Sequence, residues 1–420
     1  MRAPLRTGFS VGDRIRVLVV DDSVVVRRLI TDVLATDPAI EVVATAANGQ
    51  IAVGKVEQLR PDAITLDVEM PVMDGLQALV EIRKIDRRVP IVMFSTLTER
   101  GAAAALEALS KGASDYVTKP ANVGSVSESM ESVRSQLIPK IKALVPRFRE
   151  RGPSGPSGPP APAFAPPPRP RPAAPGAKAR ALVIGSSTGG PEALTAVISK
   201  LPPNLGVPVL ITQHMPPVFT RLYAQRLDKA SALRVVEAEN GQPVVPGTVY
   251  IAPGDFHMEV VRQGTNVVTK LHQGPPENFC RPAVDVMFRS ALTLYGGELL
   301  AVILTGMGSD GRNGCKGIAS AGGHVLVQDE ATSVVWGMPG AVAREGVADE
   351  ILPLHGIADA IVRRLGGAAS MAPPAPRSAA GTSTTSPAGA PPPPVTPRTT
   401  PSSTPFPPAT APGRFSAGRR

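Results

Sequence analysis

Aromatic side chains are scarce in this chain, 4% of 420 residues with a single tryptophan, so its cores must be built from Val, Leu, Ile and Ala. Cysteine is nearly absent. The two present, Cys280 and Cys315, have no metal-ligand spacing, and two cannot staple a chain of this length, which excludes a disulfide scaffold. No apolar run approaches the ~18 residues a spanning helix needs, and Met1–Ser10 holds no apolar signal core. The expectation is a cytoplasmic protein with no membrane insertion. Acidic residues are missing altogether from 366–420, where five arginines stand alone.

Proline, by contrast, is abundant and clustered: of 47, eleven fall in 153–175 and fourteen in 373–412. The formal charge of +9 is equally local. Segment 146–180 carries +6 and the tail +5, leaving −2 for the rest. A nucleic-acid-binding domain wants its basic face on a folded element, so the expectation is no nucleic-acid partner. The Pro/Ala/Arg stretch 146–179 reads as an extended linker and the Pro/Ser/Thr stretch 366–420 as a disordered tail. Two segments of folded composition remain, 14–145 and 180–365.

Both alternate short apolar runs with amphipathic helical patterns. In the first, strands are predicted at Ile15–Val20, Glu41–Thr45, Asp62–Leu66, Pro90–Ser95 and Ser114–Val117, with helices between them and a last helix over Val123–Leu144. In the second, strands are predicted at Ala181–Ser186, Val207–Gln213, Thr248–Ala252, Leu299–Thr305 and His324–Gln328, with extra β pieces around 233–272. The fold class is α/β: two doubly wound parallel-sheet domains, whose sites lie at the C-terminal strand ends.

Asp21, Asp22 and Asp67 fall at such ends in the first domain. Three converging carboxylates repel one another unless a cation sits among them, and oxygen-only ligands favour a hard ion such as Mg²⁺. One carboxylate can then attack a phosphoryl donor. Ser95 offers a hydroxyl to the new phosphoryl group and Lys119 a point charge. The Lys119–Pro120 bond is expected to be a cis turn device.

In the second domain Ser187, within Gly185-Ser186-Ser187-Thr188-Gly189-Gly190, follows a strand and precedes a helix whose N-terminus suits a developing oxyanion. Serine needs a base. His214 ends the next strand, and Asp310, in Thr305-Gly306-Met307-Gly308-Ser309-Asp310-Gly311, can orient it. The pattern G-x-S-x-G is short, however, and also fits phosphate-cradling turns. Gln213-His214 where a ribose-reading acid would stand argues against dinucleotides. The elbow-type order Ser, acid, His would instead pair Asp310 with His324 or His355, and His257 competes for a groove-lining role.

Two resemblances bear on these alternatives. Residues Asp67-Val68-Glu69-Met70-Pro71-Val72-Met73-Asp74-Gly75, with Asp21, Asp22, Ser95 and Lys119, resemble the response-regulator receiver family. That resemblance implies phosphorylation of Asp67 by a chemotaxis histidine kinase, metal ligation by Asp21, Asp22, Asp67 and the Glu69 backbone carbonyl, and a switch made by Ser95, Tyr116 and Lys119. Residues 181–365 resemble the CheB protein-glutamate methylesterase family at five places: Gly185–Glu192, Gln213–Pro217, Tyr250–Asp255, Arg281–Asp285 and Leu304–Gly311. This implies a triad Ser187, His214, Asp310 with Met307 backbone help for the oxyanion and no cofactor for the esterase. It also implies demethylation and deamidation of methyl-accepting chemotaxis receptors for sensory adaptation, activation by phosphorylation, and association with receptor arrays. The chain is expected to be a monomer.

Overall fold

The computed structural model describes residues 14–120, 126–145 and 178–366. Most of the 146–179 linker and nearly all of the 366–420 tail lie outside the described residues, as does the start of the helix predicted from Val123.

Five parallel strands, β1 (Ile15–Val20), β2 (Ile40–Ala46), β3 (Ala63–Asp67), β4 (Ile91–Ser95) and β5 (Asp115–Thr118), form the first sheet in the order β2-β1-β3-β4-β5. Helices α1 (Val24–Ala35), α2 (Gly49–Leu59), α3 (Gly75–Ile85), α4 (Glu99–Ser110) and α5 (Val126–Leu144) cover its faces. Strands β3 and β4 are buried along their whole length, which explains their predominantly apolar sequences. Local sequence starts the first four helices: Ser23, Asn48 and Thr98 cap α1, α2 and α4, and Asp74 with Gln77 closes a capping box on α3. Gly75 must be glycine, because a Cβ there would stand 2.0 Å from the Asp67 carbonyl oxygen. The turn after β3 thus folds back on the very residue that ends the strand.

The second sheet has seven strands in the order β14-β13-β12-β6-β7-β9-β8. They are β6 (Ala181–Ser186), β7 (Val209–Gln213), β8 (Arg234–Glu237), β9 (Thr248–Ile251), β12 (Leu299–Ile303), β13 (His324–Gln328) and β14 (Glu350–Leu352), all paired in parallel. Of the extra β residues expected around 233–272, β8 joins this sheet at its edge, and an antiparallel hairpin outside it is formed by β10 (His257–Gln263) with β11 (Asn266–His272). The helices are α6 (Gly190–Ile198), α7 (Phe219–Ala230), α8 (Val284–Tyr295), α9 (Arg312–Ser320), α10 (Met338–Arg344) and α11 (Leu354–Arg364). Order reverses at β6, whose neighbours are β12 and β7, so the switch point lies where Ser187 and His214 leave their strands.

The two domains pack together. Tyr116, at β5, stacks on Phe219, the first residue of α7, with centroids 4.5 Å apart and planes 6° from parallel. Asp115 accepts a hydrogen bond from Thr188 Oγ1 at 2.8 Å and pairs with Lys140 at 2.9 Å. Arg221 pairs with Glu99, and Arg226 donates to the Leu106 carbonyl. One expectation fails: the cis peptide bond among the described residues is Arg281–Pro282, and Lys119–Pro120 is trans, the state a prolyl bond prefers without a turn that demands otherwise.

Candidate active site

The first site is acidic. Carboxylate oxygens of Asp21, Asp22 and Asp67 lie within 4.8 Å of one another. Lys119 Nζ stands 3.0 Å from Asp21 Oδ2 and 2.8 Å from Asp67 Oδ2. Burial and the neighbouring Asp21 push Asp67 up to about 6, against the downward pull of Lys119 and the Glu69 N–H. Burial alone would lower Lys119, but its pairs with Asp67 and Asp21 hold it above its ordinary value. One lysine cannot balance three carboxylates, and buried Asp21 and Asp67 oxygens lack well-directed hydrogen bonds. This oxygen set fits a hard divalent cation. Glu69 turns its carboxylate outward to Arg100, 3.0 Å away. Ser95 ends β4 and donates to the Thr96 carbonyl at 3.2 Å, and buried Tyr116 faces the other domain.

The second site gathers around Asp310. Its Oδ2 accepts from the Val284 N–H at 2.7 Å and faces His214 Nε2 at 2.8 Å. Its Oδ1 accepts from the Asp285 and Gly311 amides, each at 3.0 Å, and from Asn278 Nδ2 at 2.8 Å. The Val284 and Asp285 amides are the first of α8, so the carboxylate occupies that helix's positive end. Burial opposes ionisation, yet the His214 contact and these amides hold Asp310 below the usual carboxylate range. Burial likewise opposes charging of His214, and the Asp310 and Cys280 contacts overcome it, pushing the imidazole up to about 10. In the neutral ring, with Asp310 ionised, Nε2 carries the proton and Nδ1 is the acceptor. Nδ1 lies 3.5 Å from Cys280 Sγ.

The two adjacent hydroxyls differ in their surroundings. Ser186 is fully buried and its Oγ lies 2.6 Å from Gln213 Oε1, which it satisfies as donor. Ser187 is half-buried, and its Oγ forms no hydrogen bond among the described residues, to His214 or to any other group. Its backbone is fixed: the N–H donates to Thr305 O at 3.0 Å, and the carbonyl accepts from Gln213 Nε2 at 3.0 Å and from the Gly190 N–H at 2.7 Å. Gly189 makes the turn at φ 74°, a left-handed angle that glycine adopts without strain. Gly306 lies alongside, where a Cβ would be 2.9 Å from Ser187 Cβ. The next residue, Met307, makes no backbone hydrogen bond through its N–H to another described residue, leaving that donor free beside Ser187.

The rival histidines have other work. His257 is buried, with Nε2 3.0 Å from the Pro275 carbonyl and Nδ1 accepting from the Ala283 N–H at 3.2 Å. His324 is buried beside Arg364 and Asp349, and His355 is exposed on α11. Sequence reasoning missed Asn278, which binds both Asp310 and Asp285, and the contact of Cys280 with the imidazole. Their adjacency to the Arg281–Asp285 motif was the available signal. A cavity of about 440 Å³ joins His214 and Cys280 to Tyr116 and Lys140 of the first domain.

An acidic phosphoacceptor-type pocket on one parallel sheet and an imidazole–carboxylate pair beside a turn serine on another define a class: an α/β carboxylic-ester hydrolase carrying a receiver. Residues 17–131 match the response regulator receiver domain and residues 182–361 the CheB methylesterase family. The chain is 59% identical over 353 residues to a protein-glutamate methylesterase/protein-glutamine glutaminase of Nocardioides sp. (strain ATCC BAA-499 / JS614), covering 84% of this chain and 95% of that protein. The like-named protein of Trichodesmium erythraeum (strain IMS101) is 49% identical over 354 residues, covering 84% and 99%. The solved CheB methylesterase catalytic domain of Thermotoga maritima is 45% identical, covers 44% of this chain and 99% of that one, and has a TM-score of 0.43. The chain belongs to the protein-glutamate methylesterase/protein-glutamine glutaminase family, with a receiver domain ahead of the methylesterase domain. Among the described residues no helix is long and apolar enough to cross a membrane.

Proposed function

We propose that this protein hydrolyses glutamate methyl esters, and deamidates particular glutamines, on helical cytoplasmic segments of methyl-accepting chemotaxis receptors, through Ser187, His214 and Asp310. The observation that carries the reading is the His214–Asp310 contact of 2.8 Å at the strand ends next to the Ser187 turn. Ser187 Oγ attacks the ester carbonyl while His214 Nδ1 takes its proton. Asp310 keeps Nε2–H in place and stabilises the imidazolium. The Met307 N–H, which has no backbone partner among the described residues, is the donor to the developing oxyanion. The imidazolium returns the proton to the leaving methoxide, methanol departs, and water resolves the acyl-enzyme to a carboxylate. With a glutamine side chain the leaving group is ammonia.

In the resting chain Nδ1 is beside the Cys280 thiol rather than the Ser187 hydroxyl. A thiol is a weak partner that the hydroxyl displaces when substrate seats, and such slack before binding is common in serine hydrolases. Each turnover adds one negative charge to a receptor helix, a change able to retune its signalling equilibrium.

Asp67 is the phosphoacceptor, supplied by the pathway's histidine kinase. Asp21, Asp22, Asp67 and the Glu69 carbonyl would hold Mg²⁺, which supplies charge neutralisation for phosphoryl transfer when bound. Ser95, Tyr116 and Lys119 respond to the phosphoryl group, and withdrawal of Tyr116 from Phe219 uncovers the esterase mouth for sensory adaptation at receptor arrays. The test is methanol release from membranes bearing methylated receptors. Ser187→Ala is expected to abolish it, and equal release from both proteins would defeat the assignment.

A further inference from the structure

Residues Glu277-Asn278-Phe279-Cys280 make a tight two-residue turn. The Cys280 N–H donates to the Glu277 carbonyl at 2.9 Å, and the Glu277 N–H to the Cys280 carbonyl at 3.1 Å. Both central residues are left-handed, Asn278 at φ 53° and Phe279 at φ 62°. Turns with two positive φ angles favour Asn then Gly. Asn278 suits the first position, and its amide fastens the turn to Asp310 and Asp285. Phe279 at the second is strained, because a bulky L-residue is disfavoured there.

That strain gives Phe279 no packing. Its exposure is 104% of the reference value, in a chain with few aromatics to spare. The other exposed large aromatic among the described residues is Phe256, at 36%. Both flank the Asp255–Arg281 ion pair, 2.6 Å long, and Phe279 lines the cavity that also holds His214. An apolar ring held in water by a strained turn one residue from a contact of the catalytic base serves something that arrives.

We propose that Phe279 is a specificity-determining anchor, with Phe256 beside it, that receives the apolar side of the amphipathic receptor helix whose esterified glutamate enters the cavity. The proposal rests on the reaction assigned above. Helix-in-groove recognition supplies the physical basis: one large ring buried by the partner sets register while the ester side chain reaches Ser187.

The experiment uses the full-length chain and two substrates, membranes carrying methylated receptors and the small ester p-nitrophenyl acetate. For Phe279→Ala, KM for the receptor rises and the ratio of kcat/KM on receptor to that on small ester falls about tenfold, the order expected for an unburied aromatic ring. Phe279→Gly shows the same fall with a Tm at or above the parent's, since glycine relieves the turn. Phe279→Leu recovers most of the ratio. An unchanged ratio in the Ala and Gly variants overturns the proposal, as does a lowered Tm in both, which would make the ring a structural prop. Ser187→Ala run alongside separates the two claims. If it is inactive on the receptor while Phe279 variants keep the parent ratio, only the anchor fails; if it is active, the reaction assignment fails.

Discussion

Replacing Asp115 by alanine removes a receiver carboxylate from Thr188, the residue after Ser187, without touching the esterase domain. Asp115 and Thr188 are both buried, and their hydrogen bond of 2.8 Å is charge-assisted. Such bonds contribute about 1.5–3 kcal/mol. Within the receiver Asp115 also pairs with Lys140 at 2.9 Å and accepts from the Tyr116 N–H at 2.8 Å, while Lys140 keeps its bond to the Tyr116 carbonyl at 2.8 Å. The closed state then loses about 2 kcal/mol, which multiplies the open-to-closed ratio about thirtyfold. Methanol release by the unphosphorylated chain should rise by that factor, up to the rate of the phosphorylated parent. Thr188→Val, a near-isosteric change, removes the same bond from the other side. Each single variant raises basal release, and the pair together adds little over Asp115→Ala, since the Thr188 bond is deleted in both. Basal release equal to the parent's in Asp115→Ala, with an unchanged circular dichroism spectrum, would refute the argument.

Two titrations follow from the sites. Because His214 is held above its ordinary 6.5, at about 10, the neutral imidazole that accepts the Ser187 proton is lost as pH falls, so kcat/KM of the unphosphorylated chain should drop on a limb lying above 6.5. Asp310→Asn should move that limb to lower pH and reduce kcat by about a hundredfold or more, whereas a parent limb at or below 6.5 would contradict the pairing. The pair stabilises the fold fully between the ordinary carboxylate value of 3.8 and about 6.5, and loses that contribution as pH rises through about 10 or falls through the lowered Asp310 value. In the receiver, Asp67 sits at about 6, so Mg²⁺ must displace a proton below that pH. Calorimetric affinity should weaken by about tenfold per pH unit below 6, and a flat profile between pH 5 and 7 would exclude Asp67 as a ligand.

Most of both sheets is legible in the chain because their central strands are largely apolar, and in the receiver because the helices carry caps at the start, as at Asp74 and Thr98. The residues assigned to chemistry at positions 21, 67, 187 and 214 were visible for a related reason: parallel sheets put them at strand ends, where a polar residue after an apolar run stands out. Position 278 was not visible, since it lies in a turn with no periodicity and gains meaning only when α8 and the loop after β12 bring Asp285 and Asp310 to it. The distinction between Ser186 and Ser187 depends on Gln213, 27 residues beyond Ser186, and the seam at Thr188 depends on a receiver residue 73 positions earlier. The hairpin β10–β11 was foreseen as β structure, but its separation from the main sheet follows from the pairing of β9 with β7 and β8.

The central claim is that the hydroxyl at 187, activated by His214, is the nucleophile. A fluorophosphonate reports it directly, since attack by Oγ on phosphorus expels fluoride and leaves a stable adduct. Mapped by mass spectrometry on the full chain, the adduct should lie on Ser187, persist in Ser186→Ala, slow sharply in His214→Ala and vanish in Ser187→Ala. An adduct on Ser186 or Cys280, or one that survives Ser187→Ala, would contradict the account.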